Sequence, residues 1–244
     1  MLKASINLIK DLKKQKRENS SLLFLDNVKI ITDAISGGIQ PKIILVEKES
    51  FNKWGNICPV YLVDKKTIEQ LSDCKTPQGV LCIAEYIQDI EMSTPNTNFL
   101  VIDGLQDPGN VGTLIRTATA CGFKKIFLIE SVNPTNSKVV RSSVGTIFKS
   151  KIISLSRKDF IDFASKNNLY LLKADMKGEN LFETKFNQIV GVVVGNEGQG
   201  VSKEISEICK KSISIPMERG VESLNVAISG AIIMYQIYSK SFKI

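Results

Sequence analysis

From residue 99 onward the chain alternates short aliphatic runs with segments of helical period, and no other feature restricts its fold so strongly. Phe99–Ile102, Lys125–Ile129, Leu169–Leu172, Ile189–Val194 and Ile213–Ile215 are β-branched or aliphatic runs of strand length. Helical spacing fills the gaps around Val111–Cys121, Lys158–Ser165 and Ser202–Cys209. Strands buried on both faces read as continuous apolar runs, whereas half-exposed strands alternate. The expected fold is therefore α/β, with a mostly parallel sheet covered by helices on both faces. No solenoid-type repeat is present.

Upstream lies a smaller α/β pattern. A basic helix opens it, and a helical segment Val28–Ile35 ends at Gly37-Gly38, a helix stop signal. Ile43–Val46, Val60–Val63 and Val80–Ala84 read as buried strands, and Asp64 can cap a helix running through Ile68 to Leu71. Gln88–Asn98 is polar, aperiodic and contains Pro95, which marks it as a linker. The expected division is a small N-terminal domain over 1–90, a linker over 91–98 and a larger domain over 99–244.

Charge points to an anionic partner. The chain carries 32 Lys and Arg against 25 Asp and Glu, a formal net charge of +7. Lys3, Lys10, Lys13, Lys14, Lys16 and Arg17 stand against the single acid Asp11, so the first helix holds much of the surplus. Such a helix suits an RNA backbone, although a solvated helix face has the same composition. The five cysteines include no Cys-x-x-Cys pair, which fits a reducing cytoplasm rather than a disulfide framework or a structural zinc site. No signal-peptide pattern opens the chain, and the uncharged stretch Ser223–Ser239 is short for a membrane span. The sequence has no histidine, which removes imidazole bases, His-based triads and His metal sites.

Three polar islands follow predicted strands. The first, Asp103 to Arg116, combines the turn Asp107-Pro108-Gly109 with Asn110 as an expected helix cap. Its small residues Gly112, Thr113, Thr117 and Ala118 leave room for a substrate near the helix backbone. The second, Gly195-Asn196-Glu197-Gly198-Gln199-Gly200-Val201-Ser202, is a glycine-rich loop that leaves amides open to a ligand. It lacks the Gly-Lys-Ser/Thr of a phosphate loop and does not match a dinucleotide fingerprint. The third runs from Ile215-Pro216-Met217 to Ser223-Leu224-Asn225-Val226, where Ser223 is expected to cap a long apolar helix to Ile237. Taken singly, each polar residue has an ordinary capping or loop explanation. Together, three loops at strand ends should converge on one sheet edge, where open α/β sheets place ligands.

These three islands, in this order and spacing, resemble the motifs of the SpoU/TrmH family of SPOUT methyltransferases, over about residues 98–240. Arg141-Ser142-Ser143-Val144-Gly145 is similar to a small-residue segment the family carries between the first two motifs. Thr76-Pro77-Gln78-Gly79-Val80 is a weaker local match to the family's substrate-binding domain, and Leu25-Asp26-Asn27 departs from its usual Glu-Gly pair. The resemblance implies a deep trefoil knot in the C-terminal domain, bound S-adenosylmethionine, and a homodimer with its active site completed across the interface. It implies methyl transfer to a ribose 2′-hydroxyl, with rRNA favoured over tRNA by the separate N-terminal domain, and no metal. A catalytically silent RNA-binding protein on the same fold and a self-resistance enzyme are the narrower alternatives.

Residue by residue, the resemblance places Asn110, Arg116, Glu197, Ser223 and Asn225 in the catalytic site. It places Leu172, Gly195, Asn196, Ile215, Met217, Leu224 and Asn225 around the cofactor. Arg116 is the family's residue nearest the 2′-hydroxyl. A guanidinium stays protonated far above neutral pH, so Arg116 is expected to grip a phosphate and orient the hydroxyl rather than act as base. Glu197, Asn110 or the substrate phosphate then remains to help remove the proton.

Overall fold

The computed structural model describes residues 2–18, 21–48, 54, 57–86 and 92–240. The N-terminal unit is a mixed five-stranded sheet in the order β1-β4-β3-β5-β2, built from β1 (Leu2–Lys3), β2 (Leu22–Leu25), β3 (Pro41–Val46), β4 (Val60–Leu62) and β5 (Val80–Glu85). Alternate residues of a strand face opposite sides, and here each side finds its own helices. Leu22, Phe24, Leu45, Leu81 and Ile83 pack with α1 (Ile6–Glu18) and α3 (Lys65–Leu71). Leu23, Leu25, Ile44 and Cys82 share a core with α2 (Val28–Ser36). Asn27 caps α2 by accepting from the Ile30 N–H at 3.2 Å, and Asp64 caps α3 from the Thr67 N–H at 2.8 Å.

The C-terminal unit holds a six-stranded sheet in the order β11-β9-β10-β6-β7-β8, and every pairing in it is parallel. Its strands are β6 (Phe99–Asp103), β7 (Lys125–Ile129), β8 (Lys151–Leu155), β9 (Leu171–Asn180), β10 (Gly191–Val194) and β11 (Lys211–Ser214). Its helices are α4 (Pro108–Ala120), α5 (Ser137–Ser142), α6 (Arg157–Lys166), α7 (Lys203–Ile208) and α8 (Val226–Ser239), with a 3-10 turn over Thr146–Lys149. Leu100, Ile102, Val192 and Val194 share a core with α4 and α8, while Phe99, Val101, Phe127 and Val193 pack against α6 and α7. Phe127 anchors the second layer, with ring centroids 5.8 Å from Phe99, 5.2 Å from Phe160 and 5.7 Å from Phe163. Each such buried ring contributes about 2 kcal/mol by area alone.

The two units meet through α2, α5 and the 3-10 turn. Arg141 Nη1 lies 3.8 Å from the buried Asp26, which also accepts from Ser72 Oγ at 2.6 Å. Lys149 pairs with Asp33 at 3.3 Å.

The expected parallel sheet covered by helices is present, with three strands beyond those expected: Leu2–Lys3, Leu22–Leu25 and Lys151–Leu155. Leu22–Leu25 and Lys151–Leu155 are runs of four and five residues, a length at which apolar composition fails to separate strand from helix. The chain lays β6, β7 and β8 outward in one direction, then crosses to place β9, β10 and β11 on the other side of β6. The order thus reverses between β6 and β10, and a crevice opens at their carboxyl ends.

Candidate functional site

The loop after β10 turns back sharply on itself. Asn196 and Gly200 exchange backbone hydrogen bonds at 2.9 and 2.8 Å, and a Cβ on Gly195 would overlap the Gly200 and Val201 backbone. Only glycine allows that closure. Asn196 Oδ1 accepts from the Gly198 N–H at 2.9 Å and the Gln199 N–H at 3.3 Å, while its Nδ2 donates to the Gly104 carbonyl at 3.2 Å. The second island is thereby tied to the first. Its exit is held by the buried Asp103, which accepts from the Ser202 N–H at 2.7 Å and from Arg157 Nε at 3.1 Å.

Asp107, not Asn110, caps α4: its Oδ1 accepts from the Asn110 N–H at 2.7 Å. Pro108 at the first helical position sets the start, so the residue before it takes the cap and Asn110 falls inside the first turn. Asn110 therefore has its side chain free for tertiary contacts. A similar correction applies to Ser223, which lies in the loop, whereas Asn225 caps α8 by accepting from the Ala227 and Ile228 N–H groups at 2.9 and 3.3 Å. An Asn two residues nearer the apolar run competes successfully for the cap.

The two asparagines and Glu197 form one chain of bonds. Asn225 Nδ2 donates to Asn110 Oδ1 at 3.1 Å, and Asn110 Nδ2 donates to Glu197 Oε1 at 2.8 Å. The α8 amides need an acceptor, which fixes the Asn225 amide and, through it, the Asn110 amide. The result presents an oriented carboxylate at the convergence of the three islands.

Beside it lies a cleft of about 570 Å³. Of the residues expected in the site, Gly195, Asn196, Glu197, Ile215, Met217, Ser223, Leu224 and Asn225 line it. Asn110 joins through its bonds to Glu197 and Asn225. Leu172 does not line it: the residue is buried within the sheet core. Arg116 is exposed and also outside the cleft, roughly 9 Å along α4 from Asn110 and about 120° around it. Among the described residues the Arg116 side chain has no hydrogen-bonded or ionic partner.

One wall of the cleft belongs to none of the three islands. The ladder between β9 and β11 jumps from Ser212↔Lys173 to Ile213↔Glu179, so the intervening residues leave the sheet. Lys173, Ala174, Asp175 and Met176 line the cleft there. Gly178 permits the crossing, because a Cβ would overlap the Ser212 and Ile213 backbone. Their position just after a predicted strand is the signal that could have found them. Asp175 Oδ1 accepts from the Lys177 N–H at 3.0 Å, and Oδ2 pairs with Lys173 Nζ at 3.1 Å. The Lys177 amide and the Lys173 ammonium hold the Asp175 carboxyl below its ordinary 3.8. Lys173 Nζ also donates to Ser206 Oγ at 2.6 Å. Burial pushes the nearby Cys209 thiol up to about 12, so it stays protonated and cannot serve as a base. Among the described residues, no group of three or more His, Cys, Asp or Glu could hold a metal, and no helix is long and apolar enough to cross a membrane.

A parallel sheet with reversed strand order and a backbone-lined cleft of this volume define a nucleoside-scale ligand site in an α/β protein. The model of the SpoU rRNA Methylase family matches residues 97–235, and that of the MRM3-like substrate binding domain matches 3–82. The chain belongs to the SpoU rRNA methylase family. It is 32% identical over 180 residues to an uncharacterized tRNA/rRNA methyltransferase of Synechocystis sp., covering 72% of this chain and 66% of the relative. It is 26% identical over 230 residues to the 23S rRNA (guanosine(2553)-2'-O)-methyltransferase RlmP of Bacillus subtilis, covering 92% of this chain and 91% of the relative. The crystal structure of an AdoMet-bound rRNA methyltransferase from Sinorhizobium meliloti shares the fold at a TM-score of 0.87 and 23% identity, covering 100% of this chain and 98% of that one.

Proposed function

We propose that this SpoU-family methyltransferase uses S-adenosylmethionine to methylate a ribose 2′-hydroxyl of ribosomal RNA. The observation that carries the reading is the Asn225–Asn110–Glu197 chain of hydrogen bonds at the edge of the cleft. The cleft suits the cofactor chemically. It offers backbone from Gly195 and Asn196, apolar surface from Ile215, Met217 and Leu224, and polar groups at Ser223 and Asn225. When bound, the cofactor supplies a methyl group on a cationic sulfur, already activated for transfer to oxygen.

The protein then has two tasks. It must place the hydroxyl in line, a positioning effect worth about 7 kcal/mol or more when well satisfied. It must also take the hydroxyl proton, and Glu197, with one oxygen held by Asn110, is the carboxylate placed to receive it. Arg116 grips the target phosphate as a permanent cation. Its exposure outside its own chain's cleft supports a homodimer in which Arg116 serves the partner's site. Ile228, Ala231, Ile232 and Tyr235 fall at i, i+3, i+4 and i+7 on α8, with Ile228 and Tyr235 each 51% exposed. That apolar stripe is the proposed interface.

The proposed division is an RNA-binding domain over 1–90, a linker over 91–98 and a catalytic domain over 99–244. Within α1, Lys13, Lys14 and Lys16 are engaged by Gln70, Glu18 and Asp73, while Lys10 and Arg17 are exposed and available to phosphates. The similarity to RlmP, a 23S rRNA methyltransferase, favours rRNA over tRNA. A trefoil knot in the C-terminal domain and a cytoplasmic location complete the reading. Mapping 2′-O-methyl sites in total RNA from cells with and without the gene tests it. Loss of one rRNA site is expected, and an unchanged rRNA map refutes the assignment.

A further inference from the structure

Three charged side chains line the cleft: Lys173, Asp175 and Glu197. One cation against two anions leaves that wall with a surplus negative charge. Asp175 is fixed from both sides, by the Lys177 N–H on Oδ1 at 3.0 Å and by Lys173 on Oδ2 at 3.1 Å. Lys173 is itself anchored by Ser206 on α7 at 2.6 Å. Asp175 is thus an oriented anion on a segment that leaves the β9 ladder and stands over the cleft. An ion pair made only for stability has no need to face a ligand cavity, and exposed pairs contribute little to stability.

We infer that Asp175 is a specificity-determining residue that reads the sulfonium charge, favouring S-adenosylmethionine over the demethylated S-adenosylhomocysteine. This rests on the reading of the cleft as the cofactor site. The two ligands differ by one methyl group and one positive charge, so a fixed carboxylate separates them electrostatically. Lys173 has two opposed effects: it holds Asp175 in place and offsets part of its charge. After turnover the ligand in the cleft is one charge poorer, and the same carboxylate no longer retains it.

Calorimetric titration of each ligand into wild type, Asp175→Asn and Lys173→Met tests this, with thermal melts run alongside. Asn is isosteric and keeps the acceptor for the Lys177 N–H, so the change removes the charge and, with it, the pair to Lys173. S-adenosylmethionine is expected to bind Asp175→Asn about tenfold more weakly, with S-adenosylhomocysteine affected less than about twofold. Lys173→Met removes the offsetting cation while the Lys177 N–H still holds Asp175, so it is expected to shift the preference the other way, toward S-adenosylmethionine. If Asp175→Asn fails to fold, Lys173→Met and a salt series on the wild type decide, because screening should weaken S-adenosylmethionine more than S-adenosylhomocysteine, which lacks the sulfonium. Equal shifts for both ligands in the folded variants, or a ratio insensitive to salt, overturn the inference while leaving the cofactor site standing. Wild-type protein that binds neither ligand overturns the cofactor reading itself.

Discussion

Asn110 Nδ2 donates to Glu197 Oε1 at 2.8 Å although the two residues are 87 positions apart in the chain. The bond joins the first turn of α4 to the loop after β10, and Asn225 extends it to the start of α8 at 3.1 Å. A carboxylate held in this way keeps one oxygen directed while the other remains available.

If Glu197 takes the 2′-hydroxyl proton, Glu197→Gln should slow single-turnover methylation about 100-fold, the lower end of what a positioned base supplies. The neutral amide still fits beside Asn110, so the fold and cofactor affinity should be nearly unchanged. Asn110→Ala removes the bond from Glu197 and the acceptor for Asn225 together, and should slow the same step with a smaller effect on melting. A Glu197→Gln enzyme with wild-type single-turnover rates excludes this carboxylate as the base.

Arg116 is assigned a different task, and salt dependence separates it. Arg116→Ala should lower the slope of log affinity for RNA against log salt by about one, the signature of one lost phosphate contact. Arg116→Lys keeps the charge and the slope but loses the planar fork, so it should still slow methylation. A slope unchanged in Arg116→Ala means the guanidinium does not touch phosphate.

The cap of α4 gives a prediction about stability. The Asn110 amide holds the Asp107 carboxyl below its ordinary 3.8, with Lys138 assisting. A depressed folded-state value contributes stability that is complete above the ordinary carboxylate range and is lost as pH falls through the folded value, below 3.8. Asp107→Ala should cost about 1 kcal/mol at neutral pH, and Asp107→Asn a few tenths at most, since Asn also caps well. Denaturant melts should show a shallower acid decline for Asp107→Asn than for wild type, because its cap does not titrate.

What the sequence reveals of this site follows the range of the interactions involved. Strand and helix periods are local, so the parallel sheet and its helices are legible, apart from short runs such as Leu22–Leu25 and Lys151–Leu155. Capping is local too, but Asp107 competes with Asn110, and Asn225 with Ser223. Pro108 decides the first contest, and proximity to the apolar helix decides the second. The Asn225–Asn110–Glu197 connection belongs to tertiary structure, since no spacing rule links residues this far apart. Asp175 is harder to foresee, because it enters the cleft only through the break in the β9–β11 ladder. Leu172, one residue before that break, stays in the core.

Arg116 and Glu197 stand on elements of one fold, yet Arg116 lies outside the cleft that Glu197 lines. If a dimer across the Ile228 and Tyr235 face brings Arg116 to the partner's cleft, the two residues act in trans. Tyr235→Glu then places a charge in the apolar interface and should yield monomers by sedimentation, with methylation lost and the secondary structure kept. Mixing offers a sharper test. Arg116→Ala and Glu197→Gln homodimers are each expected to be nearly inactive, because every site lacks one group. After subunit exchange, half the dimers are mixed, and each carries one site with both groups intact and one with neither. About a quarter of wild-type activity should return in an equal mixture, as two-fold symmetry requires. If the residues act within one chain, every site in every mixed dimer still lacks one of them. Activity then stays at the level of the parents.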